Sequence, residues 1–494
     1  STLLEQATFH REKLVEAAVE IDDELIGKYL EGEAISNEEI FQAIKKSTIA
    51  GKFVPIFVGS ALQSIGVQPL LDAICYYLPS PEEKDAFVAT NLATSNKEEV
   101  KPDVESPFSS LIFKTSVDPY VGKLSYFRVY SGTVSSNSQV WNANKKGIER
   151  VGQLFIPQGK NQHSVSQLAA GDIGAVARLN LSNTGDTLCA HEYPVIFDSI
   201  EFPQAVFSMA VQPQTRADLD KMSTVLPKVC EEDPSLQMRR EPDTNEFIIS
   251  GNGDSHLEIV KEKMRRKFGV EVKLDPPKIP YKETITVSTR AEHKHKKQTG
   301  GHGQYGHVFL ELEPLPRGGG FEFTKAIVGG AVPQNYIPSV EKGINEAKQE
   351  GILAGYPVID IKVTFYDGSF HPVDSSDIAF KIAGAQALKK GLSQGQSVLL
   401  EPVMNLTITV PEIYTGDIIS DLNTKRGHVH GMTPEGSNNI IEAQAPYAEL
   451  LRYAIDLRSI TQGRGNFIME FAHYEEVPPH ISQKVSAQRK QEKE

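Results

Sequence analysis

Three cysteines in 494 residues, a net charge of −13 and the lack of any long apolar run each narrow what this chain can be. Cys75, Cys189 and Cys230 lie far apart, with neither metal-type nor redox-type spacing. The expectation is a reducing, cytoplasmic compartment. No run of about 18 apolar residues occurs, so no membrane-spanning helix is expected. Ser1 to Glu20 is charged and helix-patterned, unlike a signal peptide. A phosphate loop of the form Gly-x-x-x-x-Gly-Lys-Ser/Thr occurs nowhere. The plain reading of −13 is solubility. It does not exclude a binder of phosphate that is acidic overall and basic only at its contacts.

What is present is length and patterning for three to five domains. Residues 1–84 read as a helix-rich α/β piece. Leu14, Ala18, Ile21, Leu25 and Tyr29 recur at helical spacing, and Ser36 with Glu39 forms a capping box for a second helix. Phe53 to Val58 is an apolar run of buried-strand type, and Val67 to Leu78 is a last helix stopped by Pro79 and Pro81. Residues 85–106 are polar and read as a linker. Residues 107–202 hold short strands punctuated by turns, the pattern of a barrel or sandwich. A strand-helix-strand order repeated twice in residues 203–279 returns in residues 402–477, which is the split βαβ arrangement. Residues 280–401 lie between the two modules and show clean alternation, with Val308, Leu310 and Leu312 on one face and Ile359, Ile361, Val363 and Phe365 on another. The tail, 478–494, reads as a helix.

The middle segment holds two unusual loops. In Gly300-Gly301-His302-Gly303-Gln304-Tyr305-Gly306, four glycines in seven residues let the backbone lie close against a partner. Arg290, His293, Lys294, His295, Lys296 and Lys297 precede it, opposed only by Glu292. A local positive patch beside a Gly-rich loop suits a phosphate-lined RNA surface, with Gln304 and Tyr305 available to bond or stack on bases. A metal site from His293, His295 and His302 is another reading, but no carboxylate or cysteine is patterned with them. A plain solvated hairpin is the third. The second loop runs Asp367-Gly368-Ser369-Phe370-His371-Pro372. Asp374 is expected to cap a helix starting at Ser375, which leaves Phe370 and His371 projecting between a strand end and a helix start.

Together these residues resemble the elongation factor G family. The first loop is similar to that family's Gly-Gly-Arg-Gly-Gln-Tyr-Gly. Leu353-Ala354-Gly355-Tyr356-Pro357-Val358, Val373-Asp374-Ser375-Ser376, Leu400-Glu401-Pro402-Val403-Met404, Gly416-Asp417-Ile418-Ile419-Ser420-Asp421-Leu422 and Leu457-Arg458-Ser459-Ile460-Thr461-Gln462-Gly463-Arg464-Gly465 match it as well. So do Asp118-Pro119-Tyr120-Val121-Gly122-Lys123-Leu124, Thr184-Gly185-Asp186-Thr187-Leu188-Cys189, Tyr29-Leu30-Glu31-Gly32 and Gly59-Ser60-Ala61-Leu62, in order along essentially the whole chain. The resemblance implies a multidomain α+β protein: a partial α/β GTPase-domain remnant, a β-barrel, and two ferredoxin-like domains flanking an elongated α+β domain. It implies a monomeric translocase that moves tRNA and mRNA on the ribosome, touching both subunits and their ribosomal RNA, with no membrane partner. Gly300 to Gly306 with Ser369, Phe370 and His371 would contact the decoding site. Lys425, Arg426, Arg458 and Arg464 would meet large-subunit RNA, and Gly59, Ser60 and Ala61 match the guanine-contacting loop, although by themselves they are equally a strand-to-helix turn.

Two kinds of departure qualify that expectation. The phosphate loop, both switches and the Asn-Lys-x-Asp motif of the family would precede Ser1. Asn144-Lys145-Lys146-Gly147 lacks the Asp. GTP and Mg2+ are therefore expected for the complete protein and not for this chain. In addition, His302 stands where the family has Arg, and Pro372 follows His371 where an acid is usual. Both hint at a paralogous branch, some members of which split ribosomes with a recycling factor. A GTPase-less ribosome-binding protein and a tetracycline-type ribosomal protection protein are further alternatives.

Overall fold

A computed structural model describes residues 2–20, 23–84, 86–118, 122–159, 161–297, 303–328 and 330–493. The chain forms two compact units, Ser1–Glu201 and Phe202–Glu494.

The first unit begins with helices Thr2–Val19, Asp23–Leu30, Asn37–Ile49 and Val67–Tyr77. Ala18, Ile40, Ile44, Ala73 and Tyr77 pack together as their core. Ser36 caps the third helix reciprocally with Glu39, as the sequence predicts. Phe53 to Val58 departs from expectation. Val54, Ile56 and Val58 are 79%, 85% and 92% exposed, and the run pairs with no strand among the described residues. An apolar run becomes a buried strand only where neighbours accept its backbone hydrogen bonds.

Residues 85–106, expected as a linker, contain strands Phe87–Asn91 and Lys97–Val100. These form a hairpin whose first strand also pairs with Val195–Phe197. Ala89, Val100, Val195 and Phe197 bury one face of it together with Cys189. The polar composition of the segment belongs to its other face. Beyond it lies an eight-stranded antiparallel sheet. Its order is Gly147–Arg150, Gln139–Asn142, Thr187–Cys189, Ser109–Asp118, Gly122–Ser131, Ile173–Ala177, Leu154–Gln158 and Asn161–Val165. The first and last strands of that order do not pair among the described residues, so the expected barrel is not closed by hydrogen bonds. Ile112, Phe127, Val129, Leu154, Val176 and Leu188 fill its core.

The second unit opens with an antiparallel four-stranded sheet ordered Gln237–Glu241, Glu246–Gly251, Phe207–Pro213 and Val272–Asp275. Helices Arg216–Glu232 and Asp254–Lys263 supply Met222, Val225, Leu226, Leu257 and Val260 to its core. A second sheet repeats the same order with His428–Glu435, Asn438–Pro446, Ser397–Pro411 and Asn466–Glu476. Chain order 2-3-1-4 in both is the ferredoxin-like topology. The helical segment after Asn438–Pro446 is divided into Tyr447–Leu450 and Tyr453–Ile460.

The middle domain's sheet is ordered Thr289–Lys297, Gln304–Pro314, Ile361–Ser369 and Phe321–Lys325. The last two strands run parallel, which requires a crossover, and helix Ile337–Ala347 lies in it. With helix Asp377–Gln394 it covers one sheet face, where Val308, Leu310, Leu312, Ile361, Val363 and Phe365 are fully buried. The buried carboxylate of Glu283 accepts the backbone N–H groups of Ile352, Leu353, Ala354, Gly355 and Tyr356 at 2.7–3.1 Å. A nest of five amides compensates a charge that would otherwise be costly to bury. Strand Lys282–Ile285 pairs with Ser397–Pro411, tying the middle domain to the last module. Helix Pro479–Lys493 contributes Ile481 and Val485 to a cluster with Tyr281, Ala354 and Leu399.

Candidate nucleic-acid interface at one end of the middle domain

Strands Thr289–Lys297 and Gln304–Pro314 pair antiparallel, with Lys296 opposite Tyr305 and Lys297 opposite Gln304. The Gly-rich loop joins them. Gly300, Gly301 and His302 lie outside the described residues, and Gly303 is the first described residue beyond them. Strand Ile361–Ser369 ends beside the same hairpin, and Phe370 to Ser375 turns into helix Asp377–Gln394. The sequence thus places both loops at one end of one sheet, and the fold brings them together.

Asp374 organises that end. It is not the helix cap: Ser376 is, its side chain accepting from Ala379 N–H. Asp374 instead accepts Gly303 N–H at 3.0 Å through its side chain and Tyr305 N–H at 2.8 Å through its carbonyl. A Cβ on Gly303 would sit 2.9 Å from the Asp374 carboxyl carbon, which explains the glycine. Gly306 serves packing rather than flexibility. It is buried in the strand, and a Cβ there would lie 2.9 Å from the Ala379 backbone.

His371 is held from two sides. Its N–H donates to Ser375 Oγ at 2.8 Å, and its carbonyl accepts Ser375 N–H at 3.1 Å. Ring atom Nδ1 accepts the N–H groups of Val373 (3.3 Å) and Asp374 (3.2 Å). Nδ1 also lies 3.4 Å from Asp374 Oδ2, a contact that would require protonating it. Two backbone donors at shorter range favour the neutral ring with its proton on Nε2. The side chain is 50% exposed. Phe370 beside it is exposed.

The Tyr305 hydroxyl bonds Ser369 Oγ at 2.8 Å, Ser369 Oγ lies 3.3 Å from His307 Nδ1, and His307 Nε2 lies 3.2 Å from Glu292. Gln304 Oε1 pairs with His295 Nε2 at 3.0 Å. Lys294 Nζ stands 5.3 Å from the Tyr305 ring centre. Burial, reinforced by the neighbouring charges of His295, Lys390 and His307, holds the His293 pKa below the usual imidazole value. Lys294, Lys296 and Lys297 have no carboxylate partner among the described residues, which leaves three ammonium groups at this end without an ion pair. No group of three or more His, Cys, Asp or Glu able to hold a metal occurs among the described residues. Sequence reasoning missed the roles of Asp374, Ser369 and His307. The hairpin register puts Lys294 and Lys296 on the face of Tyr305.

The four basic residues of the last module are used differently. Lys425 bonds Asp421 (2.7 Å) and Asp456 (3.1 Å), and its side chain is 15% exposed. Arg426 is bidentate on buried Glu401 (2.6 and 3.0 Å) and also binds Glu449. These two, expected from the resemblance to meet large-subunit RNA, each pair with two carboxylates inside the fold. Arg458 donates to the carbonyl of Asn252 at 3.0 Å, bridging the two ferredoxin-like modules. Arg464 donates to the Tyr414 hydroxyl and lies over its ring.

In the first unit, Gly59, Ser60 and Ala61 form a tight turn. Ser60 and Ile65 exchange both backbone hydrogen bonds, at 2.9 and 3.0 Å. Ser60 N–H is therefore not offered to a base. With no phosphate-loop sequence present, the residues of this chain do not fit a magnesium nucleotide.

Two ferredoxin-like modules flanking a domain with lysines at its loop end define a modular α+β protein. Residues 107–191 match the family profile described as elongation factor G domain 2, and residues 202–276 match domain III. Residues 277–396 match domain IV and residues 398–485 the elongation factor G C-terminus. The chain is 47% identical over 486 residues to elongation factor G of Aquifex pyrophilus, covering 98% of this chain and 69% of that protein. A crystal structure of a Thermus thermophilus protein superposes with a TM-score of 0.69 at 37% identity, covering 99% of this chain and 70% of that one. The chain belongs to the elongation factor G family, and so to the translation elongation factors.

Proposed function

We propose that this chain is the ribosome-engaging body of a translocase, whose middle domain enters the decoding site and contacts tRNA and mRNA. The observation that carries this reading is the preorganised end of that domain. Two backbone N–H groups fix the His371 ring, Asp374 ties the two loops together, and free lysines flank them. In this reading Gln304, Tyr305 and His371 make contacts and do no bond chemistry. They hold the RNA after movement so that it does not slip back. Nucleotide binding and hydrolysis belong to the complete protein, outside the residues of this chain.

In the complete protein, His371→Ala is expected to slow translocation more than it slows ribosome-stimulated GTP hydrolysis. Single-turnover assays of both steps test this, and equal effects on the two would overturn the assignment. A second reading, ribosome splitting together with a recycling factor, is favoured by His302 and Pro372. His302 exchanges a permanent charge for one that titrates near neutrality. A subunit-splitting assay run beside the translocation assay decides between them.

A further inference from the structure

The middle sheet has a second face that the loop contacts do not use. Its inner face lies under helices Ile337–Ala347 and Asp377–Gln394. Its outer face carries Tyr305, His307 and Phe309 at successive alternate positions of one strand, and Tyr366 beside them. The His307 and Phe309 ring centres lie 4.4 Å apart, and those of Phe309 and Tyr366 lie 6.1 Å apart. Tyr366 follows the buried Phe365 and so turns to the outer face, and a register shift between Phe309 and Leu310 leaves it without a cross-strand partner. All four rings are half-buried, with exposed Arg290, Lys294 and Lys296 along the adjoining edge strand. Arg290 stands 5.6 Å from the Tyr366 ring centre and Lys294 5.3 Å from that of Tyr305.

The carboxylates on this face have their own partners, while two of its lysines do not. Glu292 is engaged by His307, Glu311 by Arg290, and the Asp367 side chain accepts its neighbour Gly368 N–H. Lys294 and Lys296 remain without a carboxylate partner among the described residues. Aromatic rings in a row on an open four-stranded sheet, edged by lysine and arginine, are suited to unpaired bases. Each ring offers a π face to a base and each cation meets a phosphate. A protein partner would need a broader apolar patch, and the exposed positions here are charged.

We propose that the outer face of this sheet binds single-stranded RNA, with Tyr305, Phe309 and Tyr366 stacking bases and Arg290, Lys294 and Lys296 meeting the backbone. This rests on the reading that the middle domain engages RNA, and extends it from the loop end to the sheet face.

The test is binding of the 494-residue chain to a fluorescein-labelled octauridylate, and to the same oligonucleotide carrying 2-aminopurine, over a series of salt concentrations. The parent chain should quench 2-aminopurine on binding. The double variant Phe309→Leu, Tyr366→Leu keeps the apolar volume and removes the π faces. It should bind about tenfold more weakly or worse and lose the quenching. Lys294→Glu, on the exposed edge, should weaken binding and flatten its salt dependence. Binding undiminished in the Leu double variant would overturn the proposal. So would no binding at millimolar protein in low salt, or an acidic peptide that binds as tightly as RNA. If the platform fails while His371→Ala still slows translocation, the sheet-face proposal falls and the decoding-site reading stands.

Discussion

The strand Thr289–Lys297 and the last module both concentrate basic residues, and the fold puts them to opposite uses. Along the strand, alternation turns Lys294 and Lys296 outward beside aromatic rings, and the one acid on that face of the strand, Glu292, pairs with His307 instead of with them. In the last module, Lys425 and Arg426 follow a helix whose neighbours are acidic, and each cation closes on two carboxylates. A cation left in water beside rings is available to a phosphate. One bidentate on a buried glutamate is part of the core, and extracting it would leave an uncompensated buried charge. Basic composition therefore locates an interface only where the local geometry withholds internal partners.

Three measurements press on that contrast. The largest expected effect is from Arg426→Ala, which leaves Glu401, 2% exposed, without its partner. A loss of roughly 3 kcal/mol or more is expected in urea unfolding. A loss under ~0.5 kcal/mol would mean the pair is not structural, and the contrast would break. Lys294→Ala with Lys296→Ala should change stability by no more than about 0.5 kcal/mol per site. The same pair should lower affinity for ribosomes and reduce the slope of that affinity against salt by roughly one unit per lost phosphate contact. Ribosome binding as tight and as salt-dependent as before would remove the interface from this strand.

The smallest effect concerns His293. Its folded pKa lies below the usual value of 6.5 because burial and nearby cations disfavour the charged ring. The folded state therefore resists a proton that the unfolded chain accepts. The contribution is harmless above the unfolded pKa and turns destabilising as pH falls through it. His293→Gln should flatten the decline in thermal stability between about pH 7 and pH 5 without moving its value near pH 8. An unchanged slope would assign the decline to other groups.

Much of this architecture was legible in the residues. Val308, Leu310 and Leu312 alternate as a buried strand must, and all three are fully buried. Ser36 and Glu39 announce a helix start that forms as written. The repeated strand-helix-strand order yields two sheets that share one four-strand order, the second with Lys282–Ile285 added. The run Phe53 to Val58 was misleading because apolarity alone does not provide a pairing strand. The segment 85–106 was misleading because one polar face hid a hairpin anchored by Ala89 and Val100. Asp374 resembled a helix cap, yet Ser376 takes that place and leaves Asp374 to fasten Gly303.

The sequence by itself determined which segments alternate, which turn, where helices start and which motifs mark the family, because those signals are local and repeat every two or three to four residues. Only the tertiary structure decided what the charged and polar side chains do. The partner of Gly303 lies 71 residues away, that of Arg426 25 and that of Arg458 206. A hydrogen bond or ion pair forms within about 3 Å, and no local pattern specifies which distant group will arrive there. The free lysines beside Tyr305 and the spent Lys425 beside Asp421 are alike in the sequence and differ only in what the fold brings next to them.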